Sequence, residues 1–215
     1  MGVPLQVQPI WNLLWQRVAR LHGNWIIYRQ LFGQSEQLVD MLNRCASAFF
    51  AVVQDVLLSD VQLSLSRLAD PPKSMGRPNA TLATLISQIE AAEGSDRPEL
   101  HARLEEYRGS CERIKIRRNK YLAHYDYEAL VKNASAPLDG PSRQEIEQAL
   151  AALRRFMSDV ENHFAEVPTG FEHFISRNDG ADLVWWLKRG LRHRELEESG
   201  QIGPLDLRNS SLFTL

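Results

Sequence analysis

Apolar residues recur along most of this chain at intervals of three and four, the spacing that lines side chains along one face of an α-helix. Trp11, Leu14, Val18, Leu21, Trp25, Tyr28 and Phe32 form the first such stripe and predict a helix over residues 10–32, with Gly23 as a point of bending. Gly33 and Ser35 end it and open a second helix with the stripe Leu38, Leu42, Cys45, Phe49, Val52 and Val56. Around Leu58-Ser59-Asp60 this helix has room to end or kink. Val61, Leu63 and Leu65 alternate there as a short strand would, although a helix carrying Val61, Leu65 and Leu68 fits better.

Pro71, Pro72, Gly76 and Pro78 mark a loop over residues 69–79. Asn79 is placed to cap a short third helix bearing Leu82, Leu85, Ile86 and Ile89 and closed by Gly94. Asp96 and Glu99 resemble a capping box for a fourth helix, with Pro98 in its first turn and Gly109 as its weak point. After a second loop over residues 133–141, Ser142 and Glu145 form a further capping box, and Ile146, Leu150, Leu153, Met157, Val160 and Phe164 supply a fifth stripe. Pro168 and Gly170 end that helix, and a linker with Phe171 and Phe174 follows. A sixth helix is expected over 181–196, with Leu183, Trp186, Leu187 and Leu191. The fold class predicted is all-α, a helical bundle of five or six helices in a single domain over 1–198. Residues 199–215 form a tail, loose or docked through Ile202, Leu205, Leu207, Leu212 and Phe213.

Composition adds limits. With 215 residues, 44% apolar and 24% charged, and a formal net charge of −2, the chain is that of an ordinary soluble domain, so any basic surface must be local. The longest apolar run, residues 46–53 broken by Ser47, is too short to span a bilayer, and the N-terminus lacks a secretory layout. A cytoplasmic location without membrane contact is therefore expected. Cys45 and Cys111 fall on helical stripes and read as buried small hydrophobes, and neither they nor any carboxylate–histidine cluster has metal spacing.

One departure from the apolar pattern organises the candidate chemistry. The fourth helix repeats Leu100, Leu104, Tyr107, Cys111 and Ile114, and the next stripe position is Arg118, followed by Tyr121. A guanidinium on a core-facing stripe needs a buried acid, a cleft or a phosphate as its partner. Arg113, Lys115, Arg117, Arg118 and Lys120 lie within eight residues, and a solvated basic face at a helix C-terminus is the plain explanation. Against it stand the position of Arg118, the poor helix former Asn119, and His124, whose ordinary pKa suits proton transfer. A fork for phosphate oxygens, an orienting amide and a proton carrier are the parts a phosphodiester reaction requires.

The string Arg118-Asn119-Lys120-Tyr121-Leu122-Ala123-His124-Tyr125-Asp126 resembles the signature of the HEPN superfamily of helical ribonucleases and nucleotide-binding proteins. It is most similar to the AbiU-type abortive-infection branch. The bare Arg-to-His spacing also occurs from Arg17 to His22, which lacks the Asn and reads as ordinary surface, and from Arg117 to His124. A straight helix would place His124 about 120° around from Arg118 and on the face of Arg117. Pairing Arg118 with His124 therefore requires the helix to distort or end near Ala123, or a dimer to complete the pair. Arg117 remains a secondary candidate.

The resemblance implies metal-independent RNA cleavage without a cofactor, in phage defence or as a toxin, with Arg118, His124 and Asn119 as catalytic residues. It implies a homodimer whose two motifs face one cleft, because a single His124 cannot remove and donate a proton in the same step. An antitoxin or a defence-system partner is implied as well. Asp126 is placed to orient His124 or to hold Arg118, and Tyr121 and Tyr125 to stack a base, with Lys120 a further cation. Some members carry a modifiable tyrosine two residues after the histidine, where this chain has Asp126. Two alternatives stand beside this reading. One is a non-catalytic module that binds a nucleotide or RNA, or a protein partner; the other is a structural bundle in which Arg118 pairs with a buried acid. The Trp185, Trp186, Arg189, Arg192, His193, Arg194 cluster is expected to be a packed helix with an ion-paired outer face, given Glu195, Glu197 and Glu198.

Overall fold

The computed structural model describes residues 2–122, 140–173 and 178–203, with backbone only for Tyr121 and Leu122. Among them run α1 (Gln8–Phe32), α2 (Glu36–Leu68), α3 (Leu82–Glu93), α4 (Pro98–Ser110), α5 (Glu112–Arg117), α6 (Arg143–His163) and α7 (Gly180–Glu198). The described strands are a two-residue antiparallel pair in the proline-rich loop, β1 (Lys73–Ser74) and β2 (Arg77–Pro78). The all-α expectation holds. The helix expected to carry the Arg118 stretch divides at Cys111 (φ −94, ψ 0) into α4 and α5, two residues beyond Gly109, which raises the number of described helices to seven.

Two compact units make up the chain, one of Met1–Ile26 with Val53–Ile175, the other of Ile27–Val52 with Ser176–Leu215. The first is built on α6. Its whole stripe, Ile146, Leu150, Leu153, Met157, Val160 and Phe164, is buried, so a single Leu→Ala change there costs about 2–5 kcal/mol. The Ser142–Glu145 capping box forms as expected, and the Ser142 N–H holds the Glu145 carboxyl below its usual pKa. One side of α6 meets α4 and α5 antiparallel, with Arg103–Asp159, Arg155–Glu106 and Arg113–Glu145 each at 2.6 Å. On another side it meets α1, where Trp25 Nε1 donates to Glu147 at 2.7 Å. Trp11, Leu14, Val18, Leu21 and Trp25 are buried on α1, which runs through Gly23 without a break.

In the second unit, Asp179 caps α7 by accepting from the Ala181 and Asp182 amides, and it also accepts from Gln30 Nε2 at 2.6 Å. A Cβ at Gly180 would lie 3.0 Å from the Gln30 amide oxygen, so the close approach of α7 to that side chain uses a glycine. The outer face of α7 is ion-paired as expected, through Arg192–Glu195 and Arg194–Glu198. Its packing differs from the expectation. Val184 is the buried apolar residue of the helix, while Leu183 and Trp186 are exposed, and Arg189 stacks 4.6 Å from the Trp185 ring.

Several local expectations are corrected. Thr81, not Asn79, caps α3, accepting from Thr84 N, while Asn79 Nδ2 closes the preceding loop on the Pro71 carbonyl. The cap of α4 is Arg97 without a side-chain bond, so Asp96 and Glu99 make no capping box. In α2 the irregular residue is Ala46 (φ −163, ψ 74), and the helix continues through Leu58 to Leu68. Phe49, Val52 and Val56 are 60%, 63% and 59% exposed, although the stripe predicts them inside, and Cys45 is half-buried. Cys111 is buried, and desolvation raises its thiol pKa to about 11. By length and composition α2 is also able to cross a membrane, which counting only its longest uninterrupted apolar run did not reveal.

Candidate functional site

The ends of α2 and α5 are brought together by hydrogen bonds that follow from helix termini. The last carbonyls of a helix lack intrahelical donors. In α2 the Leu65 carbonyl accepts from Tyr107 Oη at 2.6 Å, and the Ala69 carbonyl just beyond the helix accepts from Arg108 Nε at 3.2 Å. Tyr107 is fully buried, and desolvation holds its hydroxyl pKa well above the ordinary value, so it remains a donor. These two anchors from α4 fix the position of Asp70, the residue before Pro71 and Pro72.

Arg118 supplies the third contact between these segments. Its Nη1 lies 2.7 Å from Asp70 Oδ2, with the two side chains 18% and 23% exposed, and its Nε donates to Asn119 Oδ1 at 3.0 Å. The misplaced arginine of the apolar stripe therefore has its acid. That acid is not sealed in the core, because Asp70 lines an open cleft of about 460 Å³. The cleft wall also carries Arg17 and Arg20 from α1, Arg67 and Ser64 from α2, and the residues 79–81 that lead into α3.

The neighbouring cations diverge. Arg117 turns the other way, its guanidinium against Gly140, where an added Cβ would meet Cζ at 3.2 Å. Arg113 is held by Glu145, and Lys120 is exposed. From Arg118 to Leu122 the α-helix gives way to a π-helical turn. The straight-helix angle between Arg118 and His124 therefore does not apply, and π-turns recur at functional sites. His124, Tyr125 and Asp126 lie outside the described residues, as does the side chain of Tyr121.

Arg17 and His22, the other matched pair, are separated by burial. His22 is 2% exposed, its Nδ1–H donating to the Val18 carbonyl at 2.9 Å and its Nε2 accepting from Arg154 Nη1 at 3.3 Å. Desolvation lowers its pKa to about 4, an effect partly opposed by the Val18 bond and strengthened by Arg154, so it is neutral at cellular pH. The surface reading thus fails for His22, and Arg17 is exposed on the cleft. Asp70, Arg20 and Arg67 are residues that the sequence does not single out, and Arg17, matched only by its spacing to His22 and read as ordinary surface, lines the cleft with them. No periodic signal marks them, since they lie off the stripes or in a loop and meet only through the packing of helix ends.

A family model, HEPN AbiU2, matches residues 6–182, from the start of α1 into α7 and across the Arg118 stretch. No curated protein and no solved structure matches the chain. The match covers most of the chain's length, and its name agrees with the motif at residues 118–126. The chain belongs to the AbiU2 family of HEPN domains, an abortive-infection family.

Proposed function

We propose that this protein is an endoribonuclease of phage defence or a toxin, cutting RNA by a metal-independent transesterification at a homodimer cleft. The observation that carries the reading is Arg118, a signature residue positioned by Asp70 and Asn119 at the edge of an arginine-lined cleft. In the reaction, His124 takes the proton of a ribose 2′-hydroxyl. The O2′–P bond forms, the P–O5′ bond breaks, and the leaving oxygen takes a proton from the second copy of His124. Arg118 exchanges Asp70 for the scissile phosphate and balances the charge that develops on it. Phe49 and Val52 on α2, three residues apart and exposed, supply an apolar patch on which a second copy can pack. The defence role, and with it an antitoxin or defence-system partner, rests on the family alone.

A second reading has one observation in its favour. The Arg118–Asp70 pair occupies the arginine in the free chain, as suits a module that binds RNA or a nucleotide without turnover. Purified protein incubated with a mixed RNA pool in EDTA separates the two. Cleavage by the wild type and none by Arg118→Ala, with the variant still melting cooperatively and lower only by the few degrees that loss of the Asp70 pair costs, is the expected result. Retention of RNA without cleavage supports the second reading, and equal cleavage by Arg118→Ala removes Arg118 from the mechanism.

A further inference from the structure

We infer that the cleft beside Arg118 is a subsite for RNA backbone, in which Arg17, Arg20 and Arg67 take phosphates flanking the scissile one. The choice of RNA as ligand rests on the ribonuclease reading; the anion preference of the cleft does not.

Three guanidinium groups from two helices face one cavity, in a chain whose formal net charge is −2. Five arginines elsewhere on the surface are matched by acids, in Arg97–Glu93, Arg103–Asp159, Arg108–Glu105, Arg113–Glu145 and Arg155–Glu106, while exposed Arg77 stands apart in the proline-rich loop. In the cleft the matching stops. Among the described residues Arg20 has Asp60 alone, at 3.6 Å, and neither Arg17 nor Arg67 has an acid within ion-pair reach. Asp70 is the one acid among the described residues that line the cleft, and Arg118 neutralises it. Grouped like charges repel one another, so an arrangement of this kind is stabilised by an external anion.

Two further features agree. Ala80 and Thr81 line the cleft, so the N-cap of α3 lies at its rim, where a helix start favours negative charge. The volume of about 460 Å³ falls within the roughly 300–1,000 Å³ of ordinary ligand sites. Among the described residues the lining of the cleft is polar and aliphatic with no aromatic side chain, which suits contacts to phosphates. Selectivity for sequence must then come from elsewhere, and binding here is salt-dependent and tolerant of sequence.

Fluorescence anisotropy on the full chain, with a single-stranded 2′-O-methyl RNA, tests this without cleavage because the probe lacks the attacking hydroxyl. For the double variant Arg17→Gln/Arg67→Gln the affinity falls at low salt. The slope of log K against log salt shrinks by about 1.4, at roughly 0.7 per lost contact to a single strand. Both residues are exposed, so its melting temperature stays that of the wild type, and Arg44→Gln on the other unit leaves affinity and slope unchanged. The inference is overturned by an unaltered affinity and slope in the double variant, or by a wild type that does not bind the probe. Binding of inorganic phosphate or ATP as tight as that of the oligonucleotide would also overturn it, since the cleft would then be a closed nucleotide pocket. A protein that holds the probe through these arginines yet cuts no RNA supports the cleft and refutes the ribonuclease.

Discussion

Replacing Asp70 with Asn removes the carboxylate from Arg118 while keeping the shape of the side chain, and its effects on stability and on RNA binding are of opposite sign. The pair is made at 2.7 Å with side chains 18% and 23% exposed, which places it between two measured regimes. Exposed pairs are worth about 0.2–1 kcal/mol, and breaking a fully buried one costs about 3–5 kcal/mol. For this partly buried pair, with Asn119 still accepting from Arg118 Nε, a loss of about 1–2 kcal/mol is expected. In a chain of this length each kcal/mol lowers the melting temperature by about 2–4 °C, so a fall of about 2–8 °C is expected by scanning calorimetry. RNA binding moves the other way. A phosphate no longer competes with Asp70 for Arg118, and about 1 kcal/mol released is about a fivefold gain in affinity. In an Arg118→Ala background the same Asp70→Asn change has little left to release, and a double-mutant cycle isolates the coupling. If Asp70→Asn weakens RNA binding, or leaves both melting and binding unchanged, then Asp70 does not park Arg118 and the exchange step is wrong.

The remaining predictions concern the core and the apolar patch. Because the folded pKa of His22 is lowered to about 4 from 6.5, the unfolded chain binds the extra proton first as pH falls. Its contribution is complete above pH 6.5 and is lost toward pH 4, about 3 kcal/mol in all, which urea midpoints at several pH values show as a slope that His22→Gln lacks. Phe49→Ser/Val52→Ser leaves the monomer fold near its wild-type stability, since both side chains are exposed, and shifts the sedimentation coefficient from dimer to monomer. A dimer that survives both changes has its interface elsewhere.

Much of this fold is legible in the sequence because the stripes of α1 and α6 face a core on one side only, and every residue of those two stripes is buried. The Ser142–Glu145 box is equally legible, being a local device read within four residues. Arg118 announced itself as an anomaly, and its acid exists. What the sequence could not supply was which acid, since Asp70 lies 48 residues away and reaches Arg118 through the anchoring of α2 by Tyr107 and Arg108. A 3–4 stripe likewise does not say what covers it, and Phe49, Val52 and Val56 have the same spacing whether they meet a core or a partner. The irregular residue in α2 is an alanine, the best helix former, so propensity points away from it. At the start of α3, Asn79 and Thr81 are both cap-forming types, and the choice falls to the loop that Asn79 closes on Pro71.

The central claim is that His124 moves a proton while Arg118 holds the phosphate. Cleavage of a labelled RNA by purified His124→Ala, compared with the wild type in EDTA and with product ends identified, tests it most directly. Wild-type products ending in a 2′,3′-cyclic phosphate and a 5′-hydroxyl are expected, with a rate about 10²-fold or more lower in the variant, the usual worth of general acid–base catalysis. An unchanged rate, or products with 5′-phosphate ends, would contradict it.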